Sequence, residues 1–158
     1  GPLRMLIALF QPDIPQNLGA ALRLGACLGV GVDVIEPCGF PLSDRAIARS
    51  AMDYGALATV TRHSGWTEFR ERRRERLVLF TTKAAQPFGD FSFQPNDVLL
   101  FGRESAGVPD EVHAAADARL YIPLVAGARS LNVTVTAAIA LSEALRQTKG
   151  FPTPAASG

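Results

Sequence analysis

Arg23 is the only charged residue between Asp13 and Asp33, and it stands in "NLGAALRLGACLG", a run otherwise of Gly, Ala, Leu, Cys and one Asn. Burying an unpaired guanidinium is expensive. Arg23 therefore either emerges on an exposed strip of a helix or clamps an anion, a phosphate or a carboxylate, beside a helix N-terminus that itself favours negative charge. A second position is Glu104, in "LLFGRESAGVPDEV". Gly102 and Gly107 permit a tight path or the close approach of a ligand. The stretch is either a surface turn with a solvated Glu, or a backbone cradle whose carboxylate faces a cationic or hydroxyl-bearing ligand. The third position is "IPLVAGARSLN", ending in Ser130-Leu131-Asn132. Ser130 or Asn132 can cap the helix that follows, worth typically about 1 kcal/mol. A cap needs only one of them.

Other chemistries are poorly served. "GVGVDV" opens as G-x-G but lacks the third glycine and precedes a strand, and no G-x-x-x-x-G-K-[ST] occurs. In "GRESAG", Ser105 falls one place too late for a nucleophile elbow. His63 and His113 stand alone and read as surface or packing residues. Cys27 and Cys38 form no C-x-x-C, so neither a disulfide framework nor a metal site is expected. Asn132-Val133-Thr134 spells a glycosylation acceptor, but the chain reads as cytoplasmic with reduced thiols, where that triplet has no use.

These residues need elements to hold them. "MLIALF" (5–10), "VDVIEP" (32–37), "LATVT" (57–61), "LVLFTT" (77–82), "DVLLFG" (97–102) and "RLYIPLV" (119–125) read as strands, several of them apolar throughout, as for strands buried on both faces. Between them lie helical patterns: one from Asn17, placed as its cap, with Leu18, Leu22 and Ala26 at helical spacing, and "LSDRAIARSAM", capped by Ser43 or Asp44. "GWTEFRERRRER" (65–76) is a polar helix anchored by Trp66 and Phe69, and "VPDEVHAAA" has Pro109 in its first turn. The last helix runs from about 132 to 148, stopped by Lys149, Gly150 and Pro152. Strand–helix alternation predicts an α/β fold, a mostly parallel sheet with helices on both faces. Ligands bind such sheets beyond the carboxyl ends of the strands, so the loops after Phe10, Thr82, Gly102 and Val125 are the ones to watch.

A chain of 158 residues suits one domain. Gly1–Arg4 reads as a cleavage remnant, residues 5–150 as the domain, and 151–158 as a flexible tail. No apolar run approaches the roughly 18 residues of a membrane span, and no signal segment precedes the first strand. The net charge of +1 provides no global attraction for nucleic acid. Its kind is more informative: fourteen Arg against two Lys, Lys83 and Lys149. Arg offers a planar fork suited to phosphate. In "RERRRER" (70–76), a solvated face and a phosphate contact are both open readings.

Taken in order, "PDIPQNLGAALRL", "IEPCGF", "MDY", "VTRH", "TTK", "FGRESAGVP" and "IPLVAGARSLNV" resemble the motifs of the SPOUT superfamily of RNA methyltransferases, in its branch acting on ribose hydroxyls. The resemblance spans Met5 to Pro152 and is greatest to the small single-domain tRNA enzymes that modify the 2′-hydroxyl of the wobble nucleotide. Ala20, Gly55, and Leu131, Val133 and Thr134 depart from the usual patterns, and Gly55 removes the side chain that could stack on a base.

The resemblance implies a C-terminal deep trefoil knot, S-adenosylmethionine as cofactor and S-adenosylhomocysteine as product, no metal, a tRNA substrate and a homodimer acting on neither membrane nor DNA. It implies methyl transfer to position 34, cytidine or modified uridine. Ribosomal RNA methylation and a non-catalytic RNA- or nucleotide-binding module are the alternatives. The implied cofactor residues are Phe80, Thr81, Gly102, Gly107, Ile122, Leu124, Ser130 and Leu131. The implied catalytic set is Asn17, Arg23, Glu104, Ser130 and Asn132. Arginine is effectively always protonated, which favours a phosphate clamp over a base at Arg23.

Overall fold

Strand runs without a polar face require cover on both sides, and the computed structural model provides it. It describes residues 4–51, 54 and 57–154. Gly1–Leu3 of the expected remnant, Met52 and Asp53 of "MDY", Gly55 and the tail from Ala155 lie outside them.

The element order is β1 (Leu6–Phe10), α1 (Pro15–Leu28), β2 (Gly31–Ile35), α2 (Asp44–Ala51), β3 (Val60–His63), α3 (Trp66–Arg72), β4 (Leu77–Phe80), β5 (Gln86–Pro87), β6 (Val98–Phe101), α4 (Asp110–Ala115), β7 (Ala118–Tyr121) and α5 (Val133–Thr148). The seven strands form one sheet in the order β3-β2-β1-β6-β4-β7-β5. Every strand pairing is parallel, with Leu6 opposite both Gly31 and Val98, and Phe80 opposite Phe101 and Leu120.

Side chains of period 2 divide the core into two layers. Ile7, Leu9, Val78, Phe80, Leu99 and Phe101 face α1 and α5, meeting Leu18, Leu22, Leu141 and Leu145. Ala8, Phe10, Leu77, Leu79, Val98 and Leu100 face the other way, against Phe69 of α3 and Val112 of α4. Fully burying each large side chain contributes about 1.5–3 kcal/mol.

Local chemistry explains where the elements differ from expectation. Helix α1 begins at Pro15, not at Asn17, and its N-cap is Ile14 without a side-chain hydrogen bond. Pro15 at the first helical position needs no donor partner and has φ already set. Asn17 is therefore inside the first turn and its side chain is released for other work. Ser43 does cap α2, accepting from the Ala46 amide at 3.0 Å. Strand β7 stops at Tyr121, so Ile122–Val125 belong to the loop. Strand β3 is displaced to Val60–His63, and the two-residue β5 falls in a stretch read as loop.

Helix α3 ends at Arg72 rather than 76 because two arginines of the basic run turn inward. Arg73 grips buried Asp33 with both Nε (2.7 Å) and Nη2 (3.1 Å). Arg76 does the same to Asp97, at 2.8 Å from each nitrogen. Arg70 donates to the Arg73 carbonyl and Arg72 pairs with Glu68. Arg70, Arg73 and Arg76 of this run are thus structural, while Glu71, Arg72 and Arg74 remain exposed. His63 is a packing residue, fully buried, 2.9 Å from Asp33 Oδ2 and edge-on to Phe69.

Candidate active site

The carboxyl ends of β4, β6 and β7 open onto three loops, residues 81–85, 102–109 and 122–132, which line a cavity of about 1040 Å³. That volume lies at the upper end of ordinary ligand pockets. Phe80, Thr81, Gly102, Gly107, Ile122, Leu124, Ser130 and Leu131 all line it, as do Glu104 and Asn132. Asn17 lies in an adjoining narrow groove that shares Gly102, Arg103, Glu104 and Val133 with the cavity.

The 102–107 loop is tied by its own backbone. Arg103 and Gly107 exchange amide–carbonyl hydrogen bonds of 2.9 and 2.8 Å. Gly107 has φ +62°, a left-handed conformation open to glycine. A Cβ on Gly102 would lie 2.6 Å from the Gly107 carbonyl carbon, so no side chain fits there. The result is a close-packed backbone floor to the cavity. The first loop is held by the Thr81 amide on the Leu120 carbonyl (2.9 Å), while Thr81 Oγ1 accepts from the Lys83 amide (3.1 Å).

Beside this floor three distant segments meet. Asn17 Nδ2 donates to Glu104 Oε1, and Asn132 Nδ2 donates to Asn17 Oδ1 at 2.9 Å. The Val133 amide donates to the same Glu104 oxygen at 3.2 Å. Asn132 Oδ1 caps α5, accepting from Thr134 N (2.8 Å) and Val135 N (3.2 Å). Thr134 Oγ1 donates to the Asn17 carbonyl at 3.0 Å, locking α5 onto α1. Glu104 thus sits at the positive end of a 16-residue helix, where a carboxylate is stabilised. Its Oε2 accepts from no protein donor among the described residues, which leaves one carboxylate oxygen for a ligand.

Asn17, Glu104 and Asn132 are brought together. Ser130 is exposed at the cavity wall. Arg23 is not part of this cluster. It lies six residues further along α1, roughly 9 Å at 1.5 Å per residue, exposed, with its guanidinium 4.8 Å from the centre of the Tyr54 ring. Among the described residues it has no carboxylate partner. Sequence reasoning passed over Thr134, Tyr54 and Arg103. The first turn of α5 holds two hydroxyls, Thr134 and Thr136, and nothing in the sequence singled out Thr134.

Known proteins resemble this chain along most of its length. Residues 4–142 match the SpoU rRNA methylase family. A tRNA (cytidine(34)-2′-O)-methyltransferase of Beijerinckia indica is 59% identical over 145 residues, covering 90% of this chain and 91% of that protein. A solved structure concerned with 2-OH methylation of C/U34 on tRNA superposes with a TM-score of 0.85 at 37% identity, covering 93% of this chain and 97% of the other. The SpoU methyltransferase AviRb of Streptomyces viridochromogenes, solved in complex with AdoMet, superposes with a TM-score of 0.79 at 27% identity, over 93% of this chain and 62% of that one.

Proposed function

Because the chain belongs to the SpoU rRNA methylase family, we propose that it methylates the 2′-hydroxyl of the wobble nucleotide, position 34, in tRNA anticodon loops. The observation that carries this reading is the Asn17–Glu104–Asn132 network, assembled at the edge of a cavity large enough for a nucleoside cofactor. The relative at 59% identity and the tRNA-related structure support cytidine or uridine at that position as the target. Sheet-end loops, a glycine floor and cofactor binding by AviRb support S-adenosylmethionine as the methyl donor.

When bound, S-adenosylmethionine supplies an electrophilic methyl on a sulfonium and leaves as S-adenosylhomocysteine. Phe80, Thr81, Gly102, Gly107, Ile122, Leu124, Ser130 and Leu131 would hold it. Asn17, Asn132 and the α5 N-terminus fix the Glu104 carboxylate, whose Oε2 can accept the hydrogen bond of the ribose hydroxyl, orient its lone pair and take the proton that the oxygen loses on methylation. Alignment is the dominant contribution in a displacement of this kind. Arg23, roughly 9 Å along α1 from Asn17, clamps a phosphate of the bound strand with its exposed guanidinium and so orients the target ribose. No metal enters this scheme.

The same reading includes a trefoil knot threading the three cavity loops, a homodimer and a cytoplasmic place of work. The exposed face of α1, with Ala20 and Cys27 beside Arg23, is small enough for close helix packing. No helix among the described residues is long and apolar enough to cross a membrane.

The test is transfer of labelled methyl to tRNA lacking the modification, followed by nucleoside mapping, with ribosomal RNA in parallel. Label at the 2′-oxygen of nucleotide 34 is expected. Label confined to ribosomal RNA would move the activity to the other substrate. No transfer to either, with cofactor bound, would leave only a binding module.

A further inference from the structure

We propose that Arg103 anchors the RNA, binding a phosphodiester oxygen of the strand that carries the target ribose. The proposal rests on the functional reading above and adds a contact to it.

Half of the fourteen arginines are already committed, and every uncommitted one except Arg103 is exposed. Arg62, Arg72, Arg73, Arg76 and Arg146 pair with carboxylates, while Arg119 donates to two backbone carbonyls and Arg70 to one. Arg103 is half-buried, yet among the described residues it has no ion-pair partner, and its buried Nε has no hydrogen-bond acceptor. A buried donor without an acceptor is costly to leave. The side chain is not loose either. Its guanidinium carbon lies 5.6 Å from the centre of the Phe10 ring, within cation–π range. Phe10 is in turn packed edge-on against Trp66, and the Arg103 backbone is pinned on both sides by Gly107. A preorganised cation therefore lacks its anion.

The acids nearby do not provide it. Asp13 and Glu104 line the same groove. Asp13 accepts from the Ser105 hydroxyl, and Glu104 is held by Asn17 and Val133. Asp110, which lines the large cavity with Arg103, makes no ion pair with it among the described residues. The missing anion comes from outside the chain. Place selects its kind. Lys83 and Arg129 line the large cavity alone, whereas Arg103 lines both that cavity and the groove beside Asn17 and Glu104. It stands on the border between methyl donor and target ribose. Every ribose in RNA is flanked by a phosphodiester, and the guanidinium fork matches two of its oxygens. The cofactor carboxylate offers the same oxyanion chemistry from the other side of the border, and experiment separates the two.

The probes are tRNA and S-adenosylhomocysteine, each titrated against wild type, Arg103→Ala, Arg103→Lys and Arg103→Gln. The Gln variant keeps bulk over Phe10 and removes the charge, should the Ala variant unfold. Expected are a roughly tenfold weaker tRNA affinity in the Gln variant and a shallower log–log salt dependence of tRNA binding, by about the 0.7–0.9 that one lost phosphate contact gives. S-adenosylhomocysteine affinity stays within about twofold. Arg103→Lys recovers the slope without the full affinity, because a point charge cannot bind bidentately. An unchanged salt slope overturns the proposal. So does a loss of S-adenosylhomocysteine affinity with the slope intact, which would assign the cation to the cofactor. If the wild type itself shows no tRNA binding, the functional reading fails first and takes this one with it.

Discussion

Asn132 does two jobs with two atoms, and substitution can separate them. Its Oδ1 caps α5 and its Nδ2 holds Asn17. Asn132→Ala removes both, costing about 1 kcal/mol of stability along with activity. Asn132→Ser retains a capping oxygen but cannot span to Asn17. Its urea midpoint should stay close to wild type while methyl transfer falls by at least tenfold. Parallel loss of stability and activity in the Ser variant would mean that Asn132 is only a cap. Gly102→Ala is the sharper lesion, since a Cβ would meet the Gly107 backbone at 2.6 Å. Overpacking of this kind costs about 1–3 kcal/mol. Because the clash lies in the cavity floor, calorimetry should show S-adenosylhomocysteine affinity reduced tenfold or more. Arg23→Ala should behave in the opposite way. Arg23 lies outside the cavity, so cofactor affinity stays near wild type, while loss of the phosphate clamp abolishes turnover.

The elements are fastened by buried ion pairs and by surface contacts. Asp33 on β2 is 1% exposed and held bidentately by Arg73, which follows α3. Removing one partner of such a pair leaves an uncompensated charge, worth about 3–5 kcal/mol. Arg73 is partly solvated, so Arg73→Ala should lose about 3 kcal/mol by urea unfolding, the lower end of that range. Near the end of α5, hydrogen bonds from Arg146 and then Gln147 lower the Glu143 carboxyl to about 2. A depressed carboxyl contributes stability above its unfolded value, near 4.3, and loses it as pH falls through the folded one. The acid limb between about pH 4.5 and 2 should therefore be slightly flatter in Glu143→Gln. The effect is small because Arg146 is largely solvated. Strand–helix alternation was legible in the chain because each apolar run is continuous and each helix periodic. The start of α1 was misread because Asn17 is a good cap residue, while Pro15 two places earlier set the true start. β5 left no trace, since Gln86-Pro87 is too short to carry a pattern. The inward turn of Arg73 and Arg76 was equally invisible, because Asp33 and Asp97 lie 40 and 21 residues away. The meeting of Asn17, Glu104 and Asn132 is tertiary as well. Ordered motifs pointed to those residues, and local periodicity did not.

At the scale of the whole molecule, the chain leaves α1 with an exposed face of Pro15, Gln16, Ala20, Arg23 and Cys27. Val135, near the start of α5, is 47% exposed. If the homodimer closes over this face, sedimentation of the wild type gives twice the chain mass, and Ala20→Glu gives a monomer without methyl transfer. A dimeric, active Ala20→Glu variant would put the interface elsewhere. Cys27 offers a second readout. It is exposed in the single chain, whereas burial and then Glu36 push the Cys38 thiol up to about 11. In the monomeric variant at pH 8, alkylation should enter at Cys27 before Cys38. In the dimer, protection of Cys27 reports on the interface.

The polar cluster spans nearly the whole chain. Asn17 and Glu104 are 87 residues apart, and Asn17 and Asn132 are 115 apart. No fragment that stops before Asn132 contains all three. A chain cut before Asn132 keeps Asn17 and Glu104 but lacks the Asn132 side chain and the Val133 amide that complete the cluster. The cluster closes only when the last helix has docked, so its assembly is a checksum on the full length of the fold.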